Sequence, residues 1–390
     1  MISVKFFFRN KKYFASAFLY ACFSLIFSTW VTYIPHIAEK IGITEGRIGK
    51  AIFFSGFGAF FMIRICRHLI ERVGVGRYTY FALMAYCICF FGPFLANNYV
   101  SLCISLFIFG AAGSSYAISL NSLLATIEKQ DGVYVMTGSH GFWSLGGMIG
   151  SATGSFIAAL LKSPVLHIVV LGIVIQIIQL KLRSQYFYRK GEHLSTEKKK
   201  SNSKMPLLII ALVGLVVMVS EGAIADWSAL YLKKIILLNI KYIGFGYSAF
   251  ALAMMIGRFT GDSLSKKFGS WLLITYASLI AITGFLLVLI LNPAFTITGF
   301  FIVGLGFSVI VPEVYRLASK VEGINTAEAV SFVAATTNIG FLAGPVLLGF
   351  IAELKSLHLS FIVLTAWVSL AFFLAFWKFR RNPLTTKSAK

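Results

Sequence analysis

The sequence predicts an all-α membrane protein, with twelve transmembrane helices in two pseudo-symmetric six-helix bundles. Three observations predict it. The first is composition: 58% of the 390 residues are hydrophobic and only 13% are charged, against about 25% charged in soluble domains. With a mean hydropathy of +0.83, the chain cannot cover its apolar surface with its own polar groups, so a bilayer must. The second is spacing: apolar blocks long enough to span, roughly 20 residues each, follow one another along the chain with short polar borders. The third is a single polar segment at mid-chain, with related loops placed alike on either side of it.

The formal net charge is +21. Lys and Arg sit between apolar blocks, so they read as topology signals and not as a nucleic-acid surface. Cys22, Cys66, Cys87, Cys89 and Cys103 lie in or at the ends of apolar segments. They frame no extracellular loop and are read as buried thiols.

The blocks run in order. The basic start MISVKFFFRNKKYF leads into 13–35, too long for a signal peptide and without a small-residue cleavage site. Trp30 lies at its outer end. Block 49–66 ends at the basic loop Arg67, Glu71, Arg72 and Gly74. Blocks 78–97 and 99–124 are parted by Asn97-Asn98, and the second of them holds Tyr116 and Asn121. Block 134–161 is Gly-rich and carries His140 and Trp143. Lys162-Ser163-Pro164 separates it from 164–185.

Residues 186–205 are polar, basic and Ser-rich, and read as a cytoplasmic linker. The domains are therefore 1–185, an N-terminal six-helix bundle, and 206–390, a C-terminal one. The run Lys198-Lys199-Lys200 suits anionic lipid or topology.

Block 206–232 contains Glu221, Asp226 and Trp227. Block 241–261 contains Tyr247, Arg258 and, just past its end, Asp262. Block 270–291 follows. Asn292-Pro293 opens 294–317, with Glu313 and Arg316. Blocks 327–352, with Asn338, and 358–379 complete the set. Basic residues favour the loops on the side of the N-terminus, so both termini are placed in the cytoplasm.

The halves repeat. Leu69, Arg72 and Gly74 match Leu264, Lys267 and Gly269, all at a separation of half the chain. The fifth and eleventh blocks are both Gly-rich: Gly146-Gly147, Gly150 and Gly154 against Gly340, Gly344 and Gly349. Small residues at this spacing let helices approach closely in lipid. Parallel six-helix repeats are a transporter plan in which the solute binds near the midplane and the halves rock.

The loop after the second block resembles the signature loop of the major facilitator superfamily, with Glu71 at its acid position and Cys66 at its first Gly position. In the second half the Gly is kept as Gly261, and Lys266 replaces the acid. The strings from His140 to Gly147, Glu221 to Ser228 and Gly257 to Asp262 are similar to a bacterial branch related to fucose permease. That resemblance implies the facilitator fold, a bacterial inner-membrane location and a sugar or another small polar cargo. The fucose symporter uses acids in its first and fourth helices, and this chain has none in 13–35 or 99–124.

Charged groups inside spans are costly and mark function. Glu221, at midspan, is the leading candidate to carry a proton, followed by Asp226, about 140° further round the helix, and His140. The competing readings are a structural hydrogen-bond anchor for Glu221 and His140, and an outer-gate pin for Asp226. Arg258 with Asp262, one turn apart, is read as a cytoplasmic latch. Arg67, Glu71 and Arg72 are its counterpart in the first half, and Gly74, Lys267 and Gly269 belong to the signature loops. Glu313 with Arg316 is either a self-neutralising pair or an inner gate.

Sugar binding needs hydrogen-bonding amides and aromatic faces. Trp30, Tyr116, Asn121, Trp143, Trp227, Tyr247 and Asn338 are the candidates, with interfacial belt residues as the alternative for Trp30 and Trp227.

No Gly-x-x-x-x-Gly-Lys-Ser/Thr string occurs and the six His residues lack metal-ligand spacing, so no cofactor or metal is expected. The reading is a monomeric secondary transporter, with protons as coupling ion and lipid as surroundings, and no enzyme. The alternatives are efflux of drug-like or amphipathic compounds and, in another class, a polytopic membrane enzyme.

Overall fold

The structure, a computed structural model, describes residues 4–133, 135–161, 164–189, 205–321, 324 and 326–381. Most of the expected linker, including Lys198-Lys199-Lys200, lies outside the described residues, as do the Lys162-Ser163 border and the last residues of the tail.

Every described element is helical. They are α1 (Val4–Arg9), α2 (Lys11–Ile41), α3 (Glu45–Val73), α4 (Val75–Cys89), α5 (Gly92–Leu95), α6 (Tyr99–Asp131), α7 (Met136–Leu160) and α8 (Pro164–Leu182) in the first half. The second half has α9 (Met205–Lys234), α10 (Phe245–Phe268), α11 (Ser270–Val288), α12 (Pro293–Ser319), α13 (Thr326–Leu354) and α14 (Leu357–Arg381). Among the described residues, 11 segments are long and apolar enough to cross a membrane. The twelfth predicted block is α7, whose 25 residues reach about 37 Å at helical rise. Its Gly and Ser content dilutes its hydropathy.

Borders read from the sequence act as caps. Asn98 and Ser101 form a capping box on α6. Asn292 accepts from Ala294 and Phe295 at the start of α12, with Pro293 in its first turn. Gly74 and Gly269 end α3 and α10 with φ of 89° and 76°, a region that L side chains avoid. The repeated glycine of the signature loop thus has a backbone reason.

The structure divides into two compact units. One holds residues up to Ser195 together with Ile240–Gly244; the other holds Thr196–Asn239 and Phe245–Lys390. In the first unit the Ser151 hydroxyl donates to the Gly244 carbonyl at 2.7 Å and the Ser155 hydroxyl to the Lys241 carbonyl at 3.1 Å.

In each unit the first and fifth spans form a close helix pair. In the first, Gly146 and Gly150 of α7 lie on the carbonyls of Ala21 and Leu25 of α2. In the second, Gly340 and Gly344 of α13 lie on the carbonyls of Leu215 and Val219 of α9. A Cβ at any of these glycines would overlap the facing backbone.

Each unit also carries one tyrosine–histidine bond between its first and last spans. The Tyr33 hydroxyl meets His167 Nδ1 at 3.1 Å, and the Tyr231 hydroxyl meets His358 Nδ1 at 3.0 Å.

Candidate functional site

The first unit places a polar cluster without carboxylate, Lys or Arg among α2, α6 and α7. The Tyr20 hydroxyl bonds Asn121 Oδ1 and lies 3.3 Å from His140 Nε2, with the two rings 4.6 Å apart. Asn121 Nδ2 donates to the Ala117 carbonyl at 2.9 Å. Asn121 is exposed, while Tyr20 is buried. An amide turned to hydrocarbon would lose hydrogen bonds that lipid cannot replace. One turn past His140, Trp143 is half-buried, edge-on to Phe23 at 4.7 Å and stacked on Phe27 at 6.3 Å.

Two other candidates of this unit are buried in packing contacts. Tyr116 is fully buried and donates to the Leu19 carbonyl at 2.9 Å. Trp30 is 4% exposed and packs on Phe94 and Phe109, an environment unlike an interfacial belt.

The second unit places an ionic cluster between α9 and α10. Arg258 Nη2 lies 4.0 Å from Glu221 Oε1, with side chains 20% and 15% exposed. Tyr247 of α10 is 6% exposed. Asp226 is 4% exposed. Trp227 is fully buried and its indole N–H donates to the Pro345 carbonyl at 3.1 Å, so it joins α9 to α13. Asn338 is exposed on α13.

Further along, Glu313 is 2% exposed and accepts from Arg316 at 2.5 Å; Arg316 also reaches Ser265 of α10. Glu71 and Arg72 are exposed near the end of α3, as is Lys267 near the end of α10. The side chains of Arg67 and Asp262 lie outside the described residues.

Sequence reasoning passed over two groups. Tyr20 gives no local signal, because its partners are on other helices. Asp131, at the end of α6, pairs with Lys12 and with Arg189 at 3.1 Å. This cluster joins the start of α2, the end of α6 and the segment after α8. Beside it, Glu128 accepts from the backbone N–H groups of Val135 and Met136, both at 2.7 Å. All five cysteines are free. Among the described residues, no group of three or more His, Cys, Asp or Glu could hold a metal ion.

A family profile described as Major Facilitator Superfamily matches residues 16–323. An uncharacterized MFS-type transporter of Yersinia pestis is 27% identical over 335 residues, covering 86% of this chain and 87% of its own length. An uncharacterized transporter of Sinorhizobium fredii is 26% identical over 356 residues, covering 90% and 94%. The membrane protein MosC of Rhizobium meliloti is 27% identical over 347 residues, covering 87% and 83%. Among solved structures, the nucleoside transporter NupG aligns with a TM-score of 0.74 at 12% identity, over 95% of this chain and 100% of its own. A bacterial homologue of the human lysosomal transporter Spinster aligns at 0.74 and 14%, over 97% and 98%. These two show a shared fold.

Proposed function

The chain belongs to the Major Facilitator Superfamily, and from that premise we propose that it is a proton-coupled secondary transporter of a small polar solute, a sugar by class. It works by alternating access in a bacterial inner membrane, as a monomer with both termini cytoplasmic. The observation that carries the reading is the Glu221–Arg258 pair on adjacent spans, 4.0 Å apart. A carboxylate so placed is held by an arginine while ionised and lets it go on taking up a proton. Proton uptake is then linked to a change in how α9 and α10 are held, which is what coupling requires.

Asn121 and Trp143 of the first unit supply the amide and the aromatic surface that a sugar needs. The resemblance of three strings to the fucose-permease branch supports the same cargo class. Glu313 with Arg316 and the signature loops are assigned to gating.

The test is uptake by the purified protein in proteoliposomes under an imposed pH gradient, against labelled sugars and amphipathic cations. Gradient-driven accumulation of one sugar is the expected result. Movement of the cations with silence across the sugars would replace this reading by efflux.

A further inference from the structure

The polar cluster of the first unit has a fixed order of hydrogen-bond donors and acceptors. Asn121 Nδ2 donates to the Ala117 carbonyl at 2.9 Å, and this settles which end of the amide is which. Its Oδ1 is therefore the atom that meets Tyr20. An amide oxygen only accepts, and a tyrosine hydroxyl has a single proton. Tyr20 must donate that proton to Asn121. Its oxygen then offers only lone pairs to His140 Nε2 at 3.3 Å, so Nε2 must carry a hydrogen. One backbone carbonyl thus fixes an amide, a hydroxyl rotor and an imidazole in turn.

We infer that Tyr20 is a positioning residue: it holds Asn121 and the Nε2–H form of His140 as a preset neutral platform beside Trp143, matched to the adjacent hydroxyls of an uncharged polyol. The inference deepens the proposed function and rests on it for the cargo class alone. Asn121 keeps one N–H and one lone pair beyond the bonds described here. Donor and acceptor stand side by side on an exposed amide, the pattern that two neighbouring hydroxyls complete. The indole lies one helical turn from His140 and supplies an apolar face for the C–H side of a ring. No member of the cluster carries a formal charge when His140 is neutral, so the platform selects against ionised solutes, whose charge it cannot balance.

Solid-state NMR of the full chain in lipid nanodiscs, labelled with ¹⁵N-histidine, tests the order directly. His140 is assigned by its loss in His140→Gln. The expected spectrum shows the Nε2–H form in the native protein and a mixture of forms in Tyr20→Phe. An Nδ1–H form in the native protein, or no change in Tyr20→Phe, overturns the inference. If Tyr20→Phe does not fold, Asn121→Leu serves, because it frees the Tyr20 proton to turn to His140 and should also release the lock.

The second arm is transport with labelled hexoses. Tyr20→Phe should raise KM by about tenfold, the worth of one hydrogen bond, and leave kcat unchanged. An unchanged KM alongside a lost Nε2–H form would deny the platform its role. If the native protein moves no hexose at all, the cargo class fails while the NMR arm still judges Tyr20.

Discussion

The two units share a scaffold and differ in what they put on it. Both close on a Gly-faced helix pair, α2 with α7 and α9 with α13, and both tie their first and last spans by a tyrosine–histidine bond. On this common frame the first unit mounts a trio without acids, Tyr20, Asn121 and His140. The second mounts the Glu221–Arg258 pair, with Asp226 buried on the same helix as Glu221. The difference teaches that the repeat conserves the contacts that need shape and lets the contacts that carry chemistry diverge. A neutral cluster can recognise hydroxyls without changing charge. An ionic one can exchange a proton, because its pairing depends on charge.

The sharpest way to break this division is Glu221→Gln. The variant should still exchange solute down its gradient but lose all pH-driven accumulation. Asn121→Ala should do the reverse, raising KM with coupling intact. Both are read as uptake and counterflow in proteoliposomes with and without a pH jump. Full accumulation by Glu221→Gln would end the assignment of coupling to the second unit.

Next in size is Arg258→Met. Removing one partner of a buried ion pair costs roughly 3–5 kcal/mol. With the pair at 4.0 Å and partly exposed, the low end, about 3 kcal/mol, is expected by thermal unfolding in detergent. The double variant Glu221→Gln with Arg258→Met should recover part of that loss, since Glu221 then leaves no unpaired charge. A single variant as stable as the native protein would mean that the two side chains do not feel one another.

The fold was legible because hydropathy, capping residues and the repeat all act locally along the chain. Asn98, Asn292 and Gly74 mark ends by their own backbone chemistry. Glu221 was legible for a similar reason, since a carboxylate in an apolar block is costly wherever its helix packs. Its partner was not. The spacing of Arg258 and Asp262 suggests a pair within one helix, whereas Arg258 also reaches across to α9. Tyr20 shows the limit more plainly. A tyrosine in a long apolar helix is ordinary, and its meaning comes from Asn121 and His140, each more than 100 positions away. Trp227 and Tyr116 show a second limit. Their polar atoms suggested recognition, but backbone carbonyls of neighbouring helices take up both donors.

The shared scaffold predicts matched costs. Gly146→Leu in the first unit and Gly344→Leu in the second each drive a side chain into a facing backbone carbonyl. Overpacking of this kind costs about 1–3 kcal/mol. Thermal unfolding should show the two variants equally destabilised, and a large loss in one alone would break the symmetry.

The smallest effect separates the two tyrosine–histidine bonds. Removing either hydroxyl, by Tyr33→Phe or Tyr231→Phe, should cost about 1 kcal/mol. The bonds are not quite alike, however. Tyr231 also lies 3.3 Å from the Val288 carbonyl, which can only accept. If Tyr231 gives its proton there, His358 must supply the hydrogen of its own bond from Nδ1, and Tyr231→Phe removes two hydrogen bonds, although the Val288 carbonyl keeps the Thr296 hydroxyl at 3.4 Å. In the first unit only His167 is bonded to the Tyr33 hydroxyl among the described contacts, so Tyr33→Phe removes one. Tyr231→Phe should therefore be the more destabilising of the pair when both are measured by the same thermal scan. Equal losses would show that the Val288 contact is too long to hold the proton, and that the second unit repeats the bond of the first unchanged.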